Sequence, residues 1–136
     1  VLSYADAGAE SSGETRTRLA LLRGGFPEPQ TQVRVQTRHG EFWADVGWPE
    51  LGVLGEYDGV AKYTANGHAE EAVRKEKWRQ RCIEDAGYTV FRVVNGDFED
   101  VEGLERRVRA LARFGPVRER PELFPSPTRS RHPDNR

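Results

Sequence analysis

Three short stretches of alternating apolar and polar residues follow one another in the first half of the chain, and this succession constrains the fold more than any other feature. Residues 31–37, 41–48 and 53–58 each show the two-residue period of a half-buried β-strand. Short turns at residues 39–40 and 49–52 connect them. Strands joined by such short turns pair as neighbours, so the sequence predicts an antiparallel β-meander.

Helical patterns and one further strand surround the meander. Ser11 and Glu14 match the capping box that opens a first helix. A long helix is predicted over residues 68–86, and a mostly apolar strand over residues 88–94 suits a sheet position covered on both faces. A last helix is predicted over residues 97–114. The predicted class is α/β, a mixed sheet flanked by helices in the order α-β-β-β-α-β-α.

Composition limits the remaining choices. The chain has 136 residues, enough for one domain, and lacks the apolar run of about 20 residues that a membrane-spanning helix needs. The single cysteine, Cys82, excludes an internal disulfide, so we expect a reducing cytoplasm. Because the chain begins at Val1 and contains no methionine, we expect a processed product, an expression fragment or the end of a longer protein.

Charge and proline are uneven along the chain. The net charge is -1, which argues against a polybasic surface that binds nucleic acid without specificity. Five of the eight prolines lie from Pro116 onward. The sequence therefore predicts a domain over residues 8–115, followed by a disordered Pro/Arg-rich tail over residues 116–136.

The meander brings two acids together. If residues 49–52 form the turn, Trp48 faces Val53 and Asp45 falls opposite Glu56. Opposed carboxylates repel unless a cation lies between them, and hard oxygen ligands suit Mg²⁺ or Mn²⁺. A register shift of one residue would instead leave both acids in solvent, and the pattern alone leaves this alternative open. The same alternation is expected to set four apolar residues on one face of the second strand: Phe42, Ala44, Val46 and Trp48.

Other polar residues could support this pair. Asp58 shares the face of Glu56 if the strand continues, although Asp58-Gly59 is also an ordinary turn. Lys62 could reach back to orient or deprotonate a water, or be a surface lysine. On the long helix, Lys77 and Gln80 share a line with two apolar residues, so they either face a polar site or border the core. Glu14 could face the sheet as well as cap its helix.

Several of these residues carry a family resemblance. Glu14, Asp45 in Ala-Asp-Val-Gly-Trp-Pro-Glu, and Glu56-Tyr57-Asp58-Gly59 followed by Lys62-Tyr63 resemble the PD-(D/E)XK nuclease superfamily. The chain is most similar to the bacterial branch related to very-short-patch-repair endonuclease, which often forms the C-terminal part of proteins resembling abortive-infection antitoxins. The segments 76–80 and 87–93 also resemble this branch, and the match extends over about residues 8–114.

The resemblance implies a restriction-endonuclease-like core in which Asp45 and Glu56 bind Mg²⁺ or Mn²⁺, with Asp58 and Glu14 in support. Asp58 stands where the superfamily motif has a lysine. The resemblance therefore implies that Lys62 or Lys77 supplies the positive charge from a displaced position.

The leading functional hypothesis is a divalent-metal-dependent DNA endonuclease. One alternative is an inactive nuclease fold that serves as a DNA-binding or regulatory module of an antitoxin-like protein. Another is a protein-interaction domain with no role in nucleic-acid binding. The expected partner is DNA, with no membrane, and either a homodimer or a fusion to an N-terminal DNA-binding domain is compatible with the sequence.

Overall fold

The order of helices and strands agrees with the sequence-based prediction. The computed structural model describes residues 12–59 and 69–125. Within this part, no helix has the length and apolar character needed to cross a membrane. The elements are α1 (Ser12–Arg23), β1 (Gln30–Thr37), β2 (Gly40–Trp48), β3 (Val53–Tyr57), α2 (Ala69–Asp85), β4 (Thr89–Val93) and α3 (Val101–Arg109). Ser11 of the predicted capping box lies outside the described residues.

The four strands form one mixed sheet in the order β1-β2-β3-β4. The first two pairings are antiparallel and β3 pairs with β4 in parallel. A parallel pair requires a crossover connection, and α2 lies between β3 and β4 in the chain. The predicted α/β class with a meander plus one further strand is therefore confirmed. Trp48 faces Val53, which is the predicted register between β2 and β3.

Apolar side chains cover both faces of the sheet. One cluster, the α1/α3 core, joins the first and last helices to the sheet through Leu21, Phe26, Val46, Trp48, Val53, Phe91, Val93, Leu104, Val108 and Phe114. A second, smaller cluster, the α2 core, consists of Val33, Val35, Ala44, Leu54 and Ile83. Each core excludes water from one side of the sheet, and this burial supplies the main stabilising free energy.

The apolar side chains of β2 do not all lie on one face of the sheet, so the prediction that its four apolar residues share a face is wrong. Ala44 packs in the α2 core, whereas Val46 and Trp48 pack in the α1/α3 core. The change occurs at Asp45, where the register would place Gln32 of β1 opposite. Gln32 has a positive φ of 48° and is skipped in the pairing of β1 with β2, so an irregular backbone lies at the level where the alternation changes side.

The last helix is shorter than predicted. A 3₁₀ turn spans Asn95–Phe98, and α3 begins only after Asp100, whose side chain accepts a hydrogen bond from the Gly103 N–H. Asp97 stabilises the preceding turn because its carboxylate accepts hydrogen bonds from Val94 N and from Arg107 Nη1. The guanidinium of Arg107 beside it lowers the pKa of Asp97.

The segment that follows α3 packs on the body, which differs from the disorder predicted for the whole tail. Within residues 116–125, the Arg120 guanidinium donates to the carbonyls of Leu22 and Phe26, at 2.9 and 2.7 Å. Arg118 N also donates to Gly25 O at 2.8 Å. Proline and charge reduce apolar burial, but they do not prevent hydrogen bonding to the partly buried carbonyls at the end of α1 and in the loop that follows it. Residues 126–136 lie outside the described residues.

Candidate functional site

A small polar cavity lies where β2 and β3 separate. Their pairing extends from Trp48 to Val46, so Asp45 is the first residue beyond it. Asp45 Oδ2 accepts a hydrogen bond of 2.8 Å from Tyr57 N, which fixes its carboxylate beside the end of β3. The cavity has a volume of about 180 Å³ and is lined by Asp45, Glu56, Tyr57, Asp58, Glu76, Arg79 and Arg92.

Glu56 is a buried acid at this cavity, with only 6% of its surface exposed. Its Oε1 lies 2.6 Å from Arg79 Nη1. The N–H bonds of Arg79 do not point at Oε1 within hydrogen-bond geometry, and Oε1 accepts no hydrogen bond from the described residues. Burial raises the pKa of Glu56 to about 7, although the charge of Arg79 acts in the opposite direction. Burial therefore destabilises the ionised form of Glu56, and a bound cation would stabilise it.

Glu76 of α2 holds two guanidinium groups together. Its Oε1 accepts hydrogen bonds from Arg79 Nη1 and Arg92 Nη2, both at 2.9 Å. Burial disfavours the charge of Glu76, but these two arginines outweigh that effect and lower its pKa. Arg92 also donates from Nε to Gln80 Oε1, and its Nη1 lies 3.6 Å from Asp58 Oδ2. Burial opposes the charge of Arg92, yet its acidic neighbours raise its pKa.

Three of the predicted site residues converge here. Asp45, Glu56 and Asp58 all line the cavity. The alternative in which a shifted register leaves both acids in solvent is excluded, because Glu56 is buried and Asp45 is partly buried. Glu14 lies on α1, where its Oε2 accepts a hydrogen bond from Gln32 Nε2 at 3.2 Å, and it is not one of the cavity-lining residues.

The structure does not bring Lys77 to the cavity. Lys77 is exposed on α2, and Val73 of the same predicted line is exposed as well. Glu76 and Gln80 instead face the sheet, one turn apart, and bind Arg92. The other predicted lysine, Lys62, lies outside the described residues.

Sequence reasoning missed Glu76, Arg79 and Arg92. A signal for the first two is their position, since Glu76, Arg79 and buried Ile83 follow one another at spacings of three and four on the inward face of α2. The signal for Arg92 is a charged residue within a mostly apolar strand, since such a side chain needs a partner.

The donor set suits a divalent cation. Four carboxylates and two guanidinium groups line the cavity, so its formal charge is negative when all are ionised. The buried Oε1 of Glu56, which forms an ion pair with Arg79 Nη1 at 2.6 Å and accepts no hydrogen bond of good geometry from the described residues, provides a second indication. No three His, Cys, Asp or Glu side chains among residues 12–59 and 69–125 are grouped closely enough to hold a metal ion by themselves. Mg²⁺ commonly uses only one or two carboxylates and completes its coordination with water and substrate phosphate, so Asp45 and Glu56 fit.

Two curated proteins resemble this chain. They are described as "Uncharacterized protein MT2308" and "Uncharacterized protein Rv2248", from Mycobacterium tuberculosis strains CDC 1551 / Oshkosh and ATCC 25618 / H37Rv. Each is 31% identical over 98 residues, which is 71% of this chain. The chain spans only 35% of the length of these relatives. No family model matches the chain, and no solved structure matches it.

Proposed function

We propose that this chain is a divalent-metal-dependent DNA endonuclease domain with a restriction-endonuclease-like core of the PD-(D/E)XK type. The observation that carries the proposal is Glu56 Oε1, a buried acid oxygen without a hydrogen bond, beside Asp45 at the separation of two strands. Mg²⁺ or Mn²⁺ is the proposed cofactor, and DNA is the proposed substrate. A cytoplasmic location belongs to the same proposal.

The roles of the chain's own residues follow from their contacts. Asp45 and Glu56 would hold the cation, and the hydrogen bond from the Tyr57 N–H fixes the orientation of the Asp45 carboxylate. Asp58 supports the site from the end of β3. When bound, the cation supplies Lewis acidity, which makes water a stronger acid and neutralises charge on the phosphate. Lys62 is the proposed residue that orients the attacking water.

A second candidate is a DNA-binding or regulatory module without cleavage activity. The contact between Asp58 and Arg92 favours it, because this carboxylate replaces the motif lysine and is itself paired. Arginine keeps its proton in proteins and cannot act as a general base, so neither Arg79 nor Arg92 can replace a lysine that deprotonates water. This candidate takes precedence if the protein binds DNA and a metal but does not cut.

Calorimetric titration of Mn²⁺ tests the proposed metal site. We expect the wild type to bind Mn²⁺, and Asp45→Asn or Glu56→Gln to weaken binding by about tenfold or more, because each substitution removes an anionic ligand. Glu50→Gln is the matched control, since Glu50 is exposed in a turn outside the cavity. Unchanged affinity in both site variants would show that the assignment is wrong.

Incubation of supercoiled plasmid with Mn²⁺ tests cleavage. We expect nicking or linearisation by the wild type, and a loss of about a hundredfold or more in Lys62→Ala with Mn²⁺ affinity retained. Lys77→Ala is the matched control, because this lysine is exposed and does not line the cavity. If the wild type cuts neither plasmid nor mismatched or single-stranded DNA, the second candidate is favoured.

A further inference from the structure

Arg79 is the residue that connects the acids to the mouth of the cavity. Its side chain comes from α2 and is 22% exposed, so it is reachable from solvent. One nitrogen, Nη1, contacts both Glu56 Oε1 at 2.6 Å and Glu76 Oε1 at 2.9 Å. The other, Nη2, donates to the backbone carbonyl of Trp43. The guanidinium thus has two hydrogen-bonded anchors and one additional ionic contact.

The contact with Glu56 is the replaceable one. It lacks hydrogen-bond geometry, whereas the contacts with Glu76 and Trp43 are hydrogen bonds. A cation bound at Glu56 Oε1 would compete with Arg79 for the same oxygen and repel its positive charge. Glu76 and Trp43 would still hold the guanidinium at the cavity, now without its ionic partner.

The charge of the cavity determines what the released guanidinium can bind. Without a cation the lining is net negative and repels a phosphate group. A divalent cation offsets this excess, and an arginine fork then matches the geometry of a phosphate. Among the described residues, no lysine lines the cavity, and Arg92 remains bonded to Gln80 and Glu76.

We propose that Arg79 is a phosphate-binding residue that exchanges partners: it pairs with Glu56 in the free protein and with a phosphodiester of the nucleic acid once a divalent cation occupies the acids. Cation and nucleic acid then bind cooperatively, each favouring the other by the same factor. This inference rests on the proposed metal-dependent function, and it adds the residue that couples the metal to the substrate.

DNA affinity measured with and without a divalent cation tests the exchange. Fluorescence anisotropy is measured on a labelled duplex in EDTA and in Ca²⁺, a hard cation with the same preference for oxygen ligands. A gel confirms that the duplex remains intact. We expect Ca²⁺ to strengthen wild-type binding by about tenfold or more. The measured quantity is the ratio of the affinities in the two buffers: in Arg79→Gln the gain from Ca²⁺ should fall to about a third or less of the wild-type gain, whatever the affinity in EDTA.

Arg81→Gln is the matched control, because Arg81 is exposed on the same helix and does not line the cavity. Its gain from Ca²⁺ should equal that of the wild type. An equal loss of affinity in both buffers for Arg79→Gln would show a general charge effect and overturn the inference, as would an unchanged gain. No gain in the wild type, together with no Mn²⁺ binding in the calorimeter, would instead refute the proposed function.

Circular dichroism shows whether Arg79→Gln is folded. If it is not, Arg79→Lys takes its place. Lysine retains the charge but loses the fork that reaches Glu76 and a phosphate together, so the gain from Ca²⁺ should fall. An unchanged gain in Arg79→Lys would overturn the inference.

Discussion

At the scale of single residues, Glu56 is a buried acid whose charged form lowers the stability of the fold. A buried carboxylate loses hydration that one neighbouring guanidinium replaces only in part, and the pKa of about 7 records this imbalance. Asp45 is better accommodated, since it lies partly in solvent and accepts the Tyr57 N–H. Of the two acids, Glu56 therefore has more to gain from a bound cation.

The raised pKa of Glu56 predicts how stability depends on pH. The folded-state pKa is about 7 and the ordinary value is 4.5, so the folded protein binds the proton more tightly than the unfolded chain. The tighter binding of this proton contributes to the free energy of unfolding. The contribution is fully present below the unfolded-state pKa of Glu56 and is lost as pH rises through its folded-state pKa. The wild type should therefore lose stability relative to Glu56→Gln as pH rises. The difference in the free energy of unfolding, variant minus wild type, should increase by on the order of 2 kcal/mol between about pH 5 and pH 8.

Urea unfolding in the presence of EDTA at several pH values measures this difference. Glu50→Gln, which removes an exposed carboxylate, is the control and should show little change in this range. A difference between Glu56→Gln and wild type that stays flat with pH would contradict the assigned titration.

At the scale of elements, α1 packs on the end of β3 through a glycine. Gly13 is buried, and a Cβ atom at this position would overlap the ring of Tyr57. That ring packs at the edge of the α1/α3 core, and its hydroxyl donates to Asn95 Oδ1 at 2.5 Å. The same residue, Tyr57, orients Asp45 through its N–H, so the helix contact and the site share one residue.

Gly13→Ala should therefore destabilise the protein, although alanine is intrinsically the better helix residue. We expect a loss of about 1–3 kcal/mol from the overlap with Tyr57, measured as a lower Tm and urea midpoint. Gly96→Ala is the control, because a Cβ there meets no atom within 4 Å. Equal stability of Gly13→Ala and wild type would show that α1 can shift away from β3 without cost.

The order of elements and the register at the site could be predicted from the sequence, whereas the path of β2 could not. The short turn after Trp48 fixes which residues of β3 it faces, and this local information places Asp45 near Glu56. The change of face at Asp45 coincides with an irregular backbone at Gln32 in another strand. Periodicity within β2 contains no information about that residue.

The same reason explains the missed arginines. Arg79 and Arg92 acquire their roles from ion pairs between α2, β3 and β4, and such pairs leave no periodic pattern. Sequence spacing places Lys77 on the inward side of α2, because spacing locates the inward face of a helix only to within one residue on either side. The structure shows that the inward face includes Glu76 instead.

At the scale of the whole molecule, one arginine joins the two ends of the described chain. Arg120 reaches carbonyls at the end of α1 and in the following loop, and Phe26 beside it is fully buried. Arg109 packs over the Phe26 ring from α3, with its guanidinium carbon 4.3 Å from the ring centre. The segment 116–125 thus completes the packing around the α1–β1 loop.

Arg120→Gln should lower stability measurably. The substitution leaves two partly buried carbonyls without their charged donor, and we expect a loss of about 1–3 kcal/mol in the free energy of unfolding. Arg118→Gln is the control, since Arg118 is exposed and bonds Gly25 through its backbone N–H. Thermal unfolding followed by circular dichroism gives both values. Equal Tm for Arg120→Gln and wild type would show that the segment rests on the body without stabilising it.

The bonds from Arg120 also constrain the order of events during synthesis. Arg120 is 98 residues after Leu22 and 94 after Phe26. At the usual pace of translation, roughly 5 to 20 s separate the appearance of the carbonyls from that of the guanidinium. The sheet, which lies wholly between these points, can form while water solvates the end of α1. The bonds from Arg120 then form last, so a nascent chain can complete the cavity of Asp45 and Glu56 before residue 120 joins Leu22 and Phe26.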